Sequence, residues 1–309
     1  MTTAVPGMAR STQLRPRING LGGAAKAIGA FVLVVIVLAI VWELAKAIGG
    51  VPWRDFLGAS IEPPWNPPLR IKQLNDQNLP HVWDVAAAFF QPATRNSPHS
   101  LGAILIDAAV FTGRSALAGF VIGGIFGTIL AVVFVHSRLL ERALVPYVIV
   151  SQTVPIVALA PMVVLWIGRD WTSVALVSAY LTFFPVTIAG IRGLASPDPR
   201  ALDLMRSYAA DPWRVLWKVR FPAALPYFFT AFKIAATASV VGAIVGEEPT
   251  GIRGGLGRAI LQFNEQYITG PEKLWATVLA SAALGIVFFG AVRLVELLVL
   301  RHRQAVIEA

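Results

Sequence analysis

The chain has 309 residues, of which 56% are hydrophobic and only 14% charged, with a mean hydropathy of +0.67. Soluble domains carry more charge, and here the apolar residues fall in long blocks, so the sequence reads as an all-α polytopic membrane protein. There is no cysteine, which excludes disulfides, thiolate catalysis and Cys-ligated metal. The net charge of +9 fits basic cytoplasmic loops better than a nucleic-acid surface.

In chain order, residues 1–25 read as a basic cytoplasmic tail with Arg10, Arg15 and Arg17. Residues 26–49 form the first span, its apolar run at Ala27 to Ile48 interrupted late by Glu43 and Lys46. Ala45-Lys46-Ala47 could mimic a signal-peptidase site, but the apolar run is too long for an ordinary signal peptide. Residues 50–100 form a Pro-rich outer loop punctuated by Trp53, Trp65 and Trp83. Pro63-Pro64 and Pro67-Pro68 disfavour helix there, and His81 to Phe90 can make one short surface helix.

Residues 101–300 form the membrane core. Its spans are expected near Ser115–Val135, Leu144–Ile167, Trp171–Ile191, Tyr227–Val245 and Leu274–Leu300. The first of these carries Gly119, Gly123, Gly124 and Gly127, a spacing for close helix–helix approach. The next is interrupted by Pro146, Pro155 and Pro161. Gly246 to Lys273 is read as a Gly-rich outer loop, and residues 301–309 as a basic cytoplasmic tail. The basic turns and tails agree on six spans with both termini inside.

Between the fourth and fifth spans lies the polar stretch 196–226. Asp198-Pro199 and Asp211-Pro212 each supply an N-cap followed by proline at the first helical position. In the first predicted helix Arg200, Asp203, Arg206, Ser207 and Ala210 share one face, and Leu202, Met205 and Ala209 another. Two short amphipathic helices therefore meet at Ala209-Ala210-Asp211, held by flanking spans.

This stretch resembles the EAA loop of permease subunits in binding-protein-dependent ABC importers. The family pattern E-A-A-x-x-x-G-A-S is matched by Asp203 to Asp211, and L-P-x-A-L-P by Phe221 to Pro226. Asp203 replaces the family's Glu on a shorter arm. Ala209 replaces its Gly, so that a positive φ there costs about 1–2 kcal/mol and the turn is expected to be tighter or more helical. Further similarity lies in Thr112-Gly113-Arg114, Pro155 to Pro161, Trp166-Ile167-Gly168 and Gly254 to Gly257. The set looks most like the nitrate/sulfonate/taurine branch, with Arg220 to Glu247 resembling members for thiamine-precursor pyrimidines or riboflavin.

The resemblance implies an ABC importer type I-like transmembrane domain in the bacterial cytoplasmic membrane. Its implied partners are a cytoplasmic ATPase dimer, a periplasmic or lipid-anchored binding protein, membrane lipid and a second permease copy. It also implies that Asp203, Arg206, Ser207, Tyr208, Ala209, Ala210 and Asp211 contact the ATPase. The chain itself has no Walker A loop, no metal-ligand spacing and no nucleophile elbow. ATP hydrolysis is therefore expected elsewhere, and no cofactor or catalytic residue is assigned.

Polar groups at membrane depth are the candidates for a translocation path: Gln152, Thr153 and Pro155, then Tyr180, Thr182, Thr237 and Ser239. Helix–helix hydrogen bonding is the competing role. Glu247 and Glu248 read as solvated carboxylates at a span end, Lys233 as a snorkelling cation, and Arg293 with Glu296 as an i,i+3 pair. An ion-coupled secondary transporter would show two related halves and central acids, which are lacking. A membrane scaffold would need no polar, kinked third span.

Overall fold

The computed structural model describes residues 21–56, 59–94, 97–248, 251–252 and 254–307. Of the expected tail at 1–25, residues 1–20 lie outside that set and residues 21–25 are helical; the last two residues of the chain also lie outside it. The chain divides into two compact units, Met1–Asn75 and Asp76–Ala309.

In the first unit, α1 (Leu21–Gly49) is the expected first span. It is followed by an antiparallel hairpin that the proline content concealed. β1 (Trp53–Phe56) pairs with β2 (Ala59–Trp65) in a register that sets Trp53 opposite Trp65. The Trp65 indole donates to Ala47 O at 2.9 Å, and the amides of Leu69 and Ile71 donate to Ile48 and Gly49. These bonds satisfy carbonyls that the end of α1 leaves open.

The second unit is helical. It comprises α2 (Val82–Ala88), α3 (Leu101–His136), α4 (Arg138–Ser151), α5 (Ile156–Ile167) and α6 (Trp171–Leu194). Then come α7 (Pro199–Ser207), α8 (Pro212–Val215), α9 (Phe221–Glu247), α10 (Leu256–Glu265) and α11 (Pro271–Ile307). Four of the expected spans in this unit are single helices, α3, α6, α9 and α11. The fifth, at Leu144–Ile167, is instead α4 and α5 bent by 99°. Pro146 and Pro161 sit inside their helices. The break falls at Gln152-Thr153-Val154, with Pro155 capping α5, because proline there cannot continue the hydrogen-bond ladder.

Three helices run well past their expected bounds; α11 continues to Ile307, so the expected tail at 301–309 is helical over its described residues. α3 begins at Leu101 rather than near Ser115, and its 36 residues extend about 54 Å against a hydrocarbon core of about 30 Å. The π turn Leu216–Arg220 joins α8 to α9 without interruption, so the fifth span starts at Pro212 rather than Tyr227.

The bundle is built on α3, α6 and α9. α3 and α6 run parallel, with Gly119, Gly123 and Gly127 facing Ser178, Ala179 and Phe183 in turn. A Cβ on Gly119 would lie 2.2 Å from Ser178 Cβ, and one on Gly123 2.5 Å from Ala179 O. Small residues thus bring the two backbones into contact, as expected where lipid supplies no hydrophobic drive. α9 runs antiparallel to α6 and packs against both α6 and α3: Ser178 Oγ donates to Ser239 O at 2.8 Å, and Phe120 meets Phe232 edge-on. α11 packs against α9, where Lys233 Nζ lies 2.9 and 2.8 Å from the two carboxylate oxygens of Glu296. Lys233 is therefore paired between helices rather than snorkelling, and Arg293 is exposed.

One end of the bundle carries a cap, and the opposite end carries α7 and α8. In the cap, Val85 and Ala88 of α2 and Leu256 and Phe263 of α10 bury against Leu101 and Leu105 at the start of α3. α10 lies in the stretch expected to be a Gly-rich loop. Replacing Gly123 by Leu is expected to destabilise the purified protein by about 3 kcal/mol, because the clash is with backbone. Gly285→Leu should be neutral, since nothing lies within 4 Å of a Cβ there. Thermal unfolding followed by tryptophan fluorescence checks both.

Candidate functional site

The 196–226 loop forms the two short helices expected. Asp198 accepts from Arg200 N at 2.9 Å and Asp211 from Trp213 N at 3.0 Å, each followed by proline at the first helical position. α7 ends in a Schellman motif: Ala210 N donates to Met205 O at 3.0 Å and Ala209 N to Arg206 O at 2.9 Å. That motif needs a left-handed residue, and Ala209 takes the role with φ +47°, the only non-glycine with positive φ among the described residues. The turn therefore keeps the conformation that glycine favours, rather than becoming more helical to suit alanine.

The loop has an exposed tip and a buried root. No residue of α7 is buried, and Leu204, Tyr208 and Trp213 are 57%, 76% and 63% exposed. Asp203 is held by Arg206 Nη1 at 3.0 Å, both well exposed, a contact of small energetic weight. Ser207 Oγ donates back to Leu204 O. At the root, Leu216 is buried among Leu194, Ala224 and Phe228, and Arg220 Nη1 donates to Leu194 O at 2.8 Å. The arrangement presents an apolar tip while tying its base to both α6 and α9.

The path candidates separate into two groups. Gln152, Thr153 and Pro155 are exposed in the α4–α5 break, and the Tyr180 hydroxyl donates to Ser151 O beside it. Next to them an apolar hollow of about 530 Å³ is lined by Ile122, Phe126, Leu159, Tyr180 and Phe183, with no charged side chain in its wall. Thr182, Thr237 and Ser239 lie away from it. Thr182 and Ser239 are fully buried, and all three hydroxyls donate to carbonyls of their own helices. In this conformation Ser239 packs α9 on α6 and faces no open space.

The sequence also concealed a polar cluster at the cap. Glu247 is fully buried, not solvated. Its Oε2 accepts from Thr112 Oγ1 at 3.0 Å and from Gly257 N at 2.8 Å, while Thr112 Oγ1 accepts from Leu256 N at 2.8 Å. α3, α9 and the first turn of α10 meet there. The neighbouring Glu248 is less enclosed, and burial alone raises its pKa. No group of three or more His, Asp or Glu suited to a metal ion occurs among the described residues.

A family model described as "Binding-protein-dependent transport system inner membrane component" matches residues 123–301. The formylaminopyrimidine transport permease protein ThiX of Halalkalibacterium halodurans is 32% identical, over 72% of this chain and 92% of its own length. The riboflavin transport system permease protein RibX of Chloroflexus aurantiacus is 32% identical, over 59% and 65%. A probable ABC transporter permease protein of Haemophilus influenzae is 38% identical, over 47% of this chain and 59% of its own length. Among solved structures, the MetNI methionine ABC transporter in inward-facing form shares the fold, with TM-score 0.52 and 19% identity over 63% and 94% of the two chains.

The strained turn gives a direct expectation. Ala209→Gly removes a left-handed penalty of about 1 kcal/mol, so amides of α7 should exchange hydrogen about fivefold more slowly. Unchanged or faster exchange would show that the turn stores no strain.

Proposed function

The chain belongs to the family of binding-protein-dependent transport system inner membrane components, and we propose that it works as one permease copy of a homodimeric ABC importer. It is a multi-pass membrane protein, and ATP hydrolysis falls to a separate subunit in this reading. In this reading an ATPase dimer docks on the 196–226 loop, and an external binding protein delivers a small polar substrate at the cap. The loop and both termini face the cytoplasm of a bacterial cell, as the basic residues favour.

The observation that carries the docking assignment is the rooted, exposed tip. Asp203, Arg206, Ser207, Tyr208, Ala209, Ala210 and Asp211 form its end. A flexible loop would dissipate a push, whereas a capped helix tied at its base to α6 and α9 passes it to both. Tyr208 and the paired alanines fit an apolar groove, with Asp203 at the rim.

For the path, Gln152, Thr153, Pro155 and Tyr180 border the break and the hollow, with Thr237 half-buried on α9 and Ser239 reached only after rearrangement. The hollow offers aromatic faces and no cation. That favours a planar, uncharged molecule over sulfonate, taurine or nitrate. The ThiX and RibX relatives, named for a pyrimidine and a flavin, support the same class.

The assembly reconstituted in liposomes with its ATPase and binding protein tests both parts. Asp203→Ala is expected to lower binding-protein-stimulated ATPase activity two- to threefold, in line with a rim pair of about 0–1 kcal/mol. Ala209→Trp should lower it tenfold or more, since overpacking a close contact costs about 1–3 kcal/mol. Intact association and stimulation in Ala209→Trp would remove the loop from the coupling path. Uptake of sulfonate or nitrate, but not of pyrimidines or flavins, would overturn the substrate class.

A further inference from the structure

α10 packs on the cap through Leu256, Ala259 and Phe263 and exposes Arg258, Gln262 and Glu265 on its other face. Apolar packing alone sets neither the rotation nor the axial position of such a helix sharply. The Glu247 cluster does. One carboxylate oxygen accepts from α3 and from α10, and the same α3 hydroxyl accepts from α10 in turn. Thr112 thereby spends its single proton on Glu247 and a lone pair on Leu256. The carboxylate also sits at the first turn of α10, where open backbone N–H groups favour negative charge.

The seat for this carboxylate admits no side chain. A Cβ on Gly255, whose φ is +88°, would fall 2.3 Å from the Glu247 carboxyl carbon, and one on Gly257 2.2 Å from Ile244 O. Burying a carboxylate is costly, and an apolar contact of similar volume often packs as stably. What the charged contact adds is direction. Glu247 is the last residue of a helical run that starts at Pro212, at the root of the loop on the far side of the membrane. One continuous helical element therefore joins the α10 latch to the loop.

We propose that Glu247, with Thr112, is the positioning residue that locks α10 to α3 and α9, so that a binding protein seated on the cap moves the bundle and not α10 alone. This rests on the permease reading above. Neither residue lines the hollow beside the α4–α5 break. Their part is to make the cap and the coupling loop ends of the same body.

The assembly in liposomes, titrated with substrate-loaded binding protein, separates this from a purely structural role. Glu247→Ala and Thr112→Val are expected to lower maximal ATPase stimulation tenfold or more, while association with the ATPase subunit and the half-saturating binding-protein concentration stay within twofold of the parent. Glu247→Gln, whose amide oxygen can still accept both bonds, and Thr112→Ser should each keep at least half of the stimulation. Full stimulation in both Glu247→Ala and Thr112→Val overturns the proposal. So does a Gln variant as defective as the Ala variant, or loss of assembly in parallel with loss of stimulation. Hydrogen exchange at the Leu256 and Gly257 amides tests the latch without any partner. It should accelerate about tenfold in Thr112→Val. Should the parent protein show no stimulation, the permease reading fails, and unchanged exchange at these amides is then the result that overturns the latch.

Discussion

In lipid, apolar side chains gain nothing by leaving the solvent for one another, so helices associate through close backbone approach and buried polar contacts. Here the approach is that of α3 to α6, where Gly119, Gly123 and Gly127 meet Ser178, Ala179 and Phe183 with no room for a Cβ. The rest of the second unit depends on it. α9 packs against both helices of this pair, and Gly242 repeats the device where a Cβ would meet Ser178 Cα at 2.9 Å. The long helices then deliver the cap at one end and the loop at the other.

Polar contacts fix what packing leaves free. Lys233 and Glu296 neutralise each other between α9 and α11, both largely enclosed. Removing one partner would leave a charge facing hydrocarbon, at about 3–5 kcal/mol. Glu247 also ties helices together at the cap, through the Thr112 hydroxyl and the Gly257 amide. At the loop, aspartate caps and a half-buried arginine at the root hold an otherwise exposed pair of short helices. α9 carries all three: Arg220 lies just before its start, Lys233 within it and Glu247 at its end.

What the sequence revealed follows from how local each signal is. Apolar runs and charge placement gave the spans, because hydrophobic length is read within one window. The Asp-Pro pairs gave both short helices, because a cap and its helix are neighbours. The glycine ridge announced close packing but not its partner. Pro155 marked the break, although among three prolines nothing local singled it out, and the bend angle depends on packing against α6. Glu247 was misread because adjacent carboxylates at a span end look solvated, and its partner Thr112 lies 135 residues away. Lys233 failed for the same reason, with Glu296 63 residues off. The hairpin at Trp53 to Trp65 was hidden by prolines that depress every strand signal. α10 was legible in principle: Leu256, Ala259, Ile260 and Phe263 recur at helical spacing after a glycine pair.

The central claim is that cap, bundle and loop move as one body within each copy. Spin labels on cysteines placed at exposed Ser207 and Gln262 of this cysteine-free chain measure it, with labelled copies diluted into unlabelled ones. The distance between the two sites should hold one narrow distribution with and without ATP and loaded binding protein, while the distance between Ser207 positions in paired copies shifts. A within-copy shift as large as the shift between copies would contradict the account.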